Sequence, residues 1–147
     1  MELYLNNIPL KANKWLKVSE MENLQFIWDY PQTDFFTLMI YDIDAPNSSP
    51  YIHLLITNIP GNMIGQGEYK FDYMAPKPPK NNPNHQYIVA LFGQEGQIIG
   101  LGLKQRARFP LETFIEQNAL TLLDEDVLEV EPKTYKFFLR KKEDDYY

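Results

Sequence analysis

The feature that most constrains this chain is a pair of strand-forming apolar runs, Phe35–Tyr41 (FFTLMIY) and Tyr51–Asn58 (YIHLLITN). Their nearly continuous apolar character and bulky side chains mark both as buried strands. Between them, DAPNSSP (44–50) is dense in turn formers, and Pro60-Gly61 closes the second run. The pair therefore reads as strand, turn, strand. Side chains two apart on a strand share a face, so Asp42 and Asp44 can point together at the exit of the first strand, as can Tyr51 and His53 on the second. Acid, imidazole and phenol at the rim of an apolar sheet are the makings of a small polar pocket.

The rest of the chain adds more strands than helices. Glu2–Leu5, Trp15–Val18 and Leu24–Trp28 read as short strands. Gly65 to Asn84 reads as a long connection stiffened by Pro76, Pro78, Pro79 and Pro83. It delivers His85-Gln86-Tyr87 into another buried strand, Ile88–Phe92, with His85 and Tyr87 on one face. Gln97–Leu103 is expected to be a strand. Leu111–Leu120 is the best helix, with Leu111, Phe114, Ile115 and Ala119 on one side. The acidic LLDEDVLEVEP is expected to be a loop, Thr134–Arg140 a late strand, and 141–147 a solvated, mobile tail. Strands following one another without helices between them predict a mostly β fold, an antiparallel β-sandwich with one or two peripheral helices.

With 147 residues, 44% of them apolar, the chain is expected to form a single domain over 1–147 with a real core. No cysteine means no disulfide, no thiolate nucleophile and no cysteine-ligated metal, and it fits a reducing compartment. A formal net charge of −6 works against salt-dependent binding to a phosphate backbone, so nucleic acid is not the expected partner. MELYLNNIPLK lacks the make-up of a secretory signal, and no stretch approaches the roughly 20 apolar residues of a transmembrane segment. The expected location is the cytoplasm.

The chemistry gathers around the two histidines, His53 and His85, each with a tyrosine two positions away. A bland account makes both partly buried histidines satisfied by local hydrogen bonds. A second starts from a carboxylate on one ring nitrogen, which favours imidazolium and aims the other N–H outward. Two such donors, with tyrosine hydroxyls and backbone N–H groups, would hold a phosphate or carboxylate. A third account has the two histidines and two aspartates bind a divalent metal for phosphoester hydrolysis. Sequence spacing does not separate these, and neither histidine sits in a tight metal motif such as HExxH. Ser48 and Ser49 lie outside any G-x-S-x-G elbow, and there is no Gly-rich phosphate loop or dinucleotide fingerprint. Lys77 and Lys80 read as part of a solvated loop.

YDIDAP followed by YIHLLITNIPG resembles the first block of the phosphatidylethanolamine-binding protein family, written around DPDAP and HWLVxNIPG. YMAPKPPKNNPNHQYIVALF resembles its second block, around YxGPxPPxGxHRYVF, and RFPLETFIEQNAL its later phenylalanine-bearing helix. Together the blocks span Phe35–Leu120 in the family's order. The resemblance implies a large antiparallel sheet packed on a smaller one. It also implies a pocket for phosphate, phosphoryl-ethanolamine headgroups or phosphorylated side chains. Asp42 and Asp44 match the family's aspartates, and His53 and His85 its histidines. Tyr87 matches the tyrosine after the second histidine, Tyr51 the aromatic at the pocket rim, and Tyr73, Ala75 and Pro78 the proline-rich wall.

The chain departs from that pattern at Ile43, which replaces a proline, at Ala75, which replaces a glycine, and at Gln86, which replaces an arginine and removes a cation. Asn47-Ser48-Ser49 lacks a basic residue in the turn, and little chain remains for a C-terminal helix. The short, Asn- and Ile-rich form is similar to homologues carried by large cytoplasmic DNA viruses. The expected protein is thus a binding module with no cofactor, no metal and no catalytic residue. Its expected partners are a phosphate-bearing small molecule or lipid headgroup and, at the rim, a kinase or protease. A hydrolase is the alternative. Because a histidine's reference pKa is about 6.5, anion binding is expected to strengthen as pH falls from about 8 to about 6.

Overall fold

A computed structural model describes residues 1–5, 7–9, 15–17, 23–31, 33–75, 85–100, 102–103, 105–131 and 136–141, with positions 5, 15–17, 85, 129–131 and 136–141 described by backbone alone. The strands in chain order are β1 (Glu2–Leu5), β2 (Ile8–Pro9), β3 (Trp15–Lys17), β4 (Leu24–Ile27), β5 (Phe35–Asp42), β6 (Tyr51–Pro60), β7 (Glu68–Phe71) and β8 (His85–Gln94). Helix α1 (Leu111–Gln117) follows, then β9 (Thr121–Glu131) and β10 (Lys136–Lys141). They form a seven-stranded sheet in the order β3-β10-β9-β8-β5-β6-β7 and a three-stranded sheet in the order β2-β1-β4. Every strand pairing is antiparallel. The expected mostly β architecture, a large sheet on a smaller one, is what forms.

The central strands β5, β6 and β8 are buried on both faces, which explains apolar runs without the usual wet alternation. Leu38, Ile40, Leu54, Val89 and Leu91 point toward the small sheet, where they meet Leu3, Leu24 and Trp28. Their strand neighbours Met39, Tyr41, Leu55, Ile88, Ala90 and Phe92 point the other way, onto Phe109 and Phe114. Phe114 is the buried residue of α1. The helix stops at Gln117, short of the expected Leu120, because Ala119 takes a left-handed conformation with φ 49°.

Two expectations are corrected. The acidic stretch is not a loop: it is the eleven-residue strand β9, lying between β8 and β10. Its charges obscured a strand pattern in which Asp126 and Leu128 are buried. The expected strand at Gln97–Leu103 has no regular structure among its described residues. The Asn58 side chain takes both the N–H and the C=O of Ile98, at 2.7 Å each, in place of a ladder partner. The connection after Gly65 carries one short strand, β7, just beyond a 3₁₀ turn (Ile64–Gln66). Residues 76–84 and the tail beyond 141 lie outside the described residues. No helix of the described residues is long and apolar enough to cross a membrane.

Candidate functional site

Strand β6 carries one residue too many at the site. Ile40 pairs with Leu54 and Tyr41 with Ile52, so His53 is an extra residue opposite β5. A bulge of this kind bends its strand and re-aims a side chain, and bulges recur beside functional sites. A second irregularity near the other end sets one β5 residue, Thr37, against Thr57 and Asn58, and Asn58 has a φ of 55°. Asparagine tolerates that left-handed conformation better than most residues. Gln94 locks this second bulge: it accepts from Thr37 Oγ1 at 2.6 Å and from the Asn58 N–H at 2.9 Å, and donates to Asn58 Oδ1 at 2.8 Å.

Met74 clamps the bulged histidine through its backbone. Its N–H donates to the His53 carbonyl at 2.8 Å, and its carbonyl lies 2.7 Å from His53 Nδ1. Nδ1 therefore carries a proton, which places the lone pair of the neutral ring on Nε2. The ring stands between Tyr51 and Tyr87, each with its centroid 5.2 Å away, and Tyr87 meets it nearly edge-on. The Tyr51 hydroxyl lies 3.4 Å from Met74 Sδ.

Asp42 sits in register with Tyr51 on one side and Tyr87 on the other, so its side chain shares a face with theirs. It is buried, at 3% exposure. Burial, then the charge of Asp42 and a hydrogen bond to it, hold the Tyr87 phenol well above the usual tyrosine value. Tyr87 is thus a neutral hydroxyl throughout the physiological range. Asp44 has another task. It lies beyond the end of β5, so strand alternation does not govern it. Its N–H donates to Asp42 Oδ1 at 2.8 Å, and its own Oδ2 accepts the Gln86 N–H at 2.7 Å. The expectation that a carboxylate orients His53 is corrected at Nδ1, which takes the Met74 carbonyl. Met74 reaches it because β7 pairs with β6 and returns the chain alongside the bulge.

The sequence reading missed Arg106. Its Nη1 donates to the Ile52 carbonyl at 3.1 Å and to that of His53 at 3.4 Å, and its Nη2 to the Asp72 carbonyl at 2.7 Å. The guanidinium carbon lies 5.3 Å from the Phe71 ring centroid. One planar fork therefore ties the bulged strand to the segment that carries Met74. No local pattern marks Arg106, because these partners lie 34 to 54 residues away in sequence. Arg108 is similar: its Nη1 reaches the Asn47 carbonyl at 3.2 Å, so a guanidinium does stand at the turn that lacks a basic residue of its own.

Asp42, Tyr51, His53 and Tyr87 lie together at one end of β5, β6 and β8. Tyr73 and Ala75 flank Met74 and are partly buried. His85 opens β8 opposite Val130, two residues before Tyr87, and its side chain lies outside what is described. Pro78 also lies outside the described residues. Among the described residues no group of three or more His, Asp or Glu could hold a metal ion.

The phosphatidylethanolamine-binding protein family model matches residues 6–138. A fly protein named for odorant binding, odorant-binding protein A5 of Drosophila melanogaster, is 26% identical over 101 residues, which cover 65% of this chain and 48% of that protein. Two other curated relatives are matched over 38% of their length, so the chain spans less than half of each of the three. The carboxypeptidase Y inhibitor, solved in complex with its cognate proteinase, superposes with a TM-score of 0.72 at 21% identity, over 88% of this chain and 81% of that one. The phosphatidylethanolamine-binding protein from Plasmodium vivax gives 0.61 at 14% identity, over 88% and 84%. Fold and sequence agree: this chain belongs to the phosphatidylethanolamine-binding protein family.

Proposed function

We propose that this protein is a non-enzymatic binding module whose pocket takes a phosphate-like anion, free or carried on an ethanolamine headgroup or a phosphorylated side chain, at His53. The observation that carries the reading is the bulged His53, held through Nδ1 by the Met74 carbonyl and flanked by Tyr51 and Tyr87. With Nδ1 already committed as a donor, protonation adds a second N–H at Nε2, where a charge-assisted hydrogen bond to an anion forms. The Tyr87 hydroxyl, kept neutral, supplies no competing negative charge. Asp42 stabilises the imidazolium from within the sheet, Asp44 braces the start of β8, and His85 is the second donor. Ala75 and Pro78 belong to the wall beyond Tyr73.

Titration calorimetry with phosphorylethanolamine tests this. Binding is expected to strengthen as pH falls from about 8 to about 6 and to weaken at least about tenfold in His53→Ala, a loss of about 1.4 kcal/mol. Absence of heat at pH 6, or equal affinity in His53→Ala, would overturn it.

A protein partner at the same rim is a second reading. It is favoured by the exposure of two apolar side chains beside the site, Ile43 at 40% and Met74 at 41%. The likeness to an inhibitor solved with its proteinase makes a protease one candidate, and a kinase is another. Retention of the natural partner by wild type and its loss in Met74→Asp, with phosphorylethanolamine binding intact, would support it. Equal retention by the two proteins would rule it out.

A further inference from the structure

We propose that Met74 is a redox modification site that controls the anion pocket, its thioether taken to the sulfoxide by a hydroperoxide. The backbone of Met74 is pinned to the site twice: its N–H donates to the His53 carbonyl at 2.8 Å, and its carbonyl holds His53 Nδ1 at 2.7 Å. Pinned there, the side chain stands at the rim, 41% exposed, between the partly buried Tyr73 and Ala75. Its Sδ accepts the Tyr51 hydroxyl at 3.4 Å, and the Tyr51 ring centroid lies 5.2 Å from that of His53. A solvent-accessible sulfur is thus joined to the histidine through a single tyrosine. Two other methionines set the contrast. Met39 is fully buried in the sheet and offers no sulfur to solvent. Met63 is 49% exposed at the other end of β6, its N–H on the Pro60 carbonyl at 3.0 Å, so it is an open thioether remote from His53.

A thioether is a weak hydrogen-bond acceptor, whereas a sulfoxide is polar and chiral, and reductases return it to methionine. In the step, a sulfur lone pair attacks one oxygen of the hydroperoxide, the S–O bond forms and the O–O bond breaks. The departing oxygen takes the proton left on the transferred one and leaves as water or alcohol. Sulfur loses two electrons and the peroxide gains them. The new oxygen is bonded to the atom that the Tyr51 hydroxyl already faces. That hydroxyl then has a strong acceptor within the protein and is withdrawn from an anion at His53. The same oxygen brings partial negative charge to the rim, where it opposes an incoming phosphate. Both effects act against binding, and both leave intact the two backbone bonds that hold the His53 ring.

The effect on affinity rests on the anion reading, so the test carries a second readout that does not. The full chain is treated with hydrogen peroxide and its oxidised methionines are mapped by mass spectrometry. The His53 ring signals are followed by NMR alongside calorimetry with phosphorylethanolamine at about pH 6. Met74 and Met63 are expected to oxidise while Met39 stays reduced. Once Met74 is the sulfoxide, the His53 signals should shift and affinity should fall at least about tenfold, and methionine sulfoxide reductase should reverse both. Met63→Leu should respond to peroxide as wild type does. Met74→Leu keeps the size and removes the sulfur, so peroxide should move neither its signals nor its affinity from their starting values. If untreated wild type gives no heat, the anion reading fails alone, and the His53 shift still decides whether Met74 oxidation reaches the site. Met74 staying reduced while Met63 oxidises would overturn the proposal. Unmoved His53 signals or unchanged affinity in the oxidised protein would also overturn it, as would an equal response from Met74→Leu.

Discussion

Replacing Arg106 tests the link between stability and the site in one residue. The guanidinium serves three carbonyls, those of Ile52, His53 and Asp72, and packs on Phe71. Arg106→Met keeps most of the packing and removes every donor. The His53 carbonyl still has the Met74 N–H, and that of Asp72, an exposed residue, can turn to water. The carbonyl of fully buried Ile52 has the least access to another partner. A bond from a charged donor is worth about 1.5–3 kcal/mol, and an orphaned buried acceptor costs about 1–3 kcal/mol. The cation–π contact adds about 0.5–1 kcal/mol. These terms overlap, so the loss is set at about 2–4 kcal/mol, or roughly 5–15 °C in Tm for a chain of this size. Arg106→Lys keeps the charge but loses the fork, and should still lose about half as much. Thermal and urea unfolding give the stability. Exchange of the His53 Nδ1 proton, followed by NMR, gives the effect on the site and should speed up as the Met74 clamp loosens. Stabilities within about 0.5 kcal/mol of wild type, with unchanged exchange, would refute the assignment of Arg106 as a positioning residue.

Two further predictions concern the core. Gln94→Leu removes the partners of the Thr37 hydroxyl and the Asn58 N–H inside the sheet. It should cost about 2–4 kcal/mol in urea unfolding, and a loss below about 1 kcal/mol would show that the network relaxes without it. Tyr41 is buried beside Glu125, and burial first, then that charge, push its phenol up to about 12. The folded chain then holds a proton that the unfolded chain releases from about pH 10, so stability is full below pH 10 and falls as pH rises toward 12. By pH 11 wild type should have lost about 1 kcal/mol more than Tyr41→Phe, and equal losses in the two proteins would contradict this.

Much of the fold was legible because its longest signals were local. The runs at β5, β6 and β8 are apolar on both faces, and that continuity survives in any context. β9 was misread because Asp124, Glu125 and Asp126 look like a solvated stretch, whereas pairing with β8 and β10 makes them strand. The segment after Gln97 was misread because its backbone partners come from the side chain of Asn58, 40 residues earlier. At the site, the residue types were readable and their roles less so. Alternation put Tyr51 beside His53 correctly, but a bulge is a mismatch between two strands and leaves no trace in either alone. The Met74 carbonyl and the Arg106 fork act through backbone atoms, which carry no residue-type signature.

The central claim is that His53 is an anion donor, and crystals soaked in phosphorylethanolamine near pH 6 test it most directly. The expected density is a phosphoryl group about 2.7–2.9 Å from His53 Nε2, bridging toward His85, with the Nδ1 bond to the Met74 carbonyl retained. An empty site under saturating soak, or a phosphoryl group bound elsewhere with His53 untouched, would contradict it.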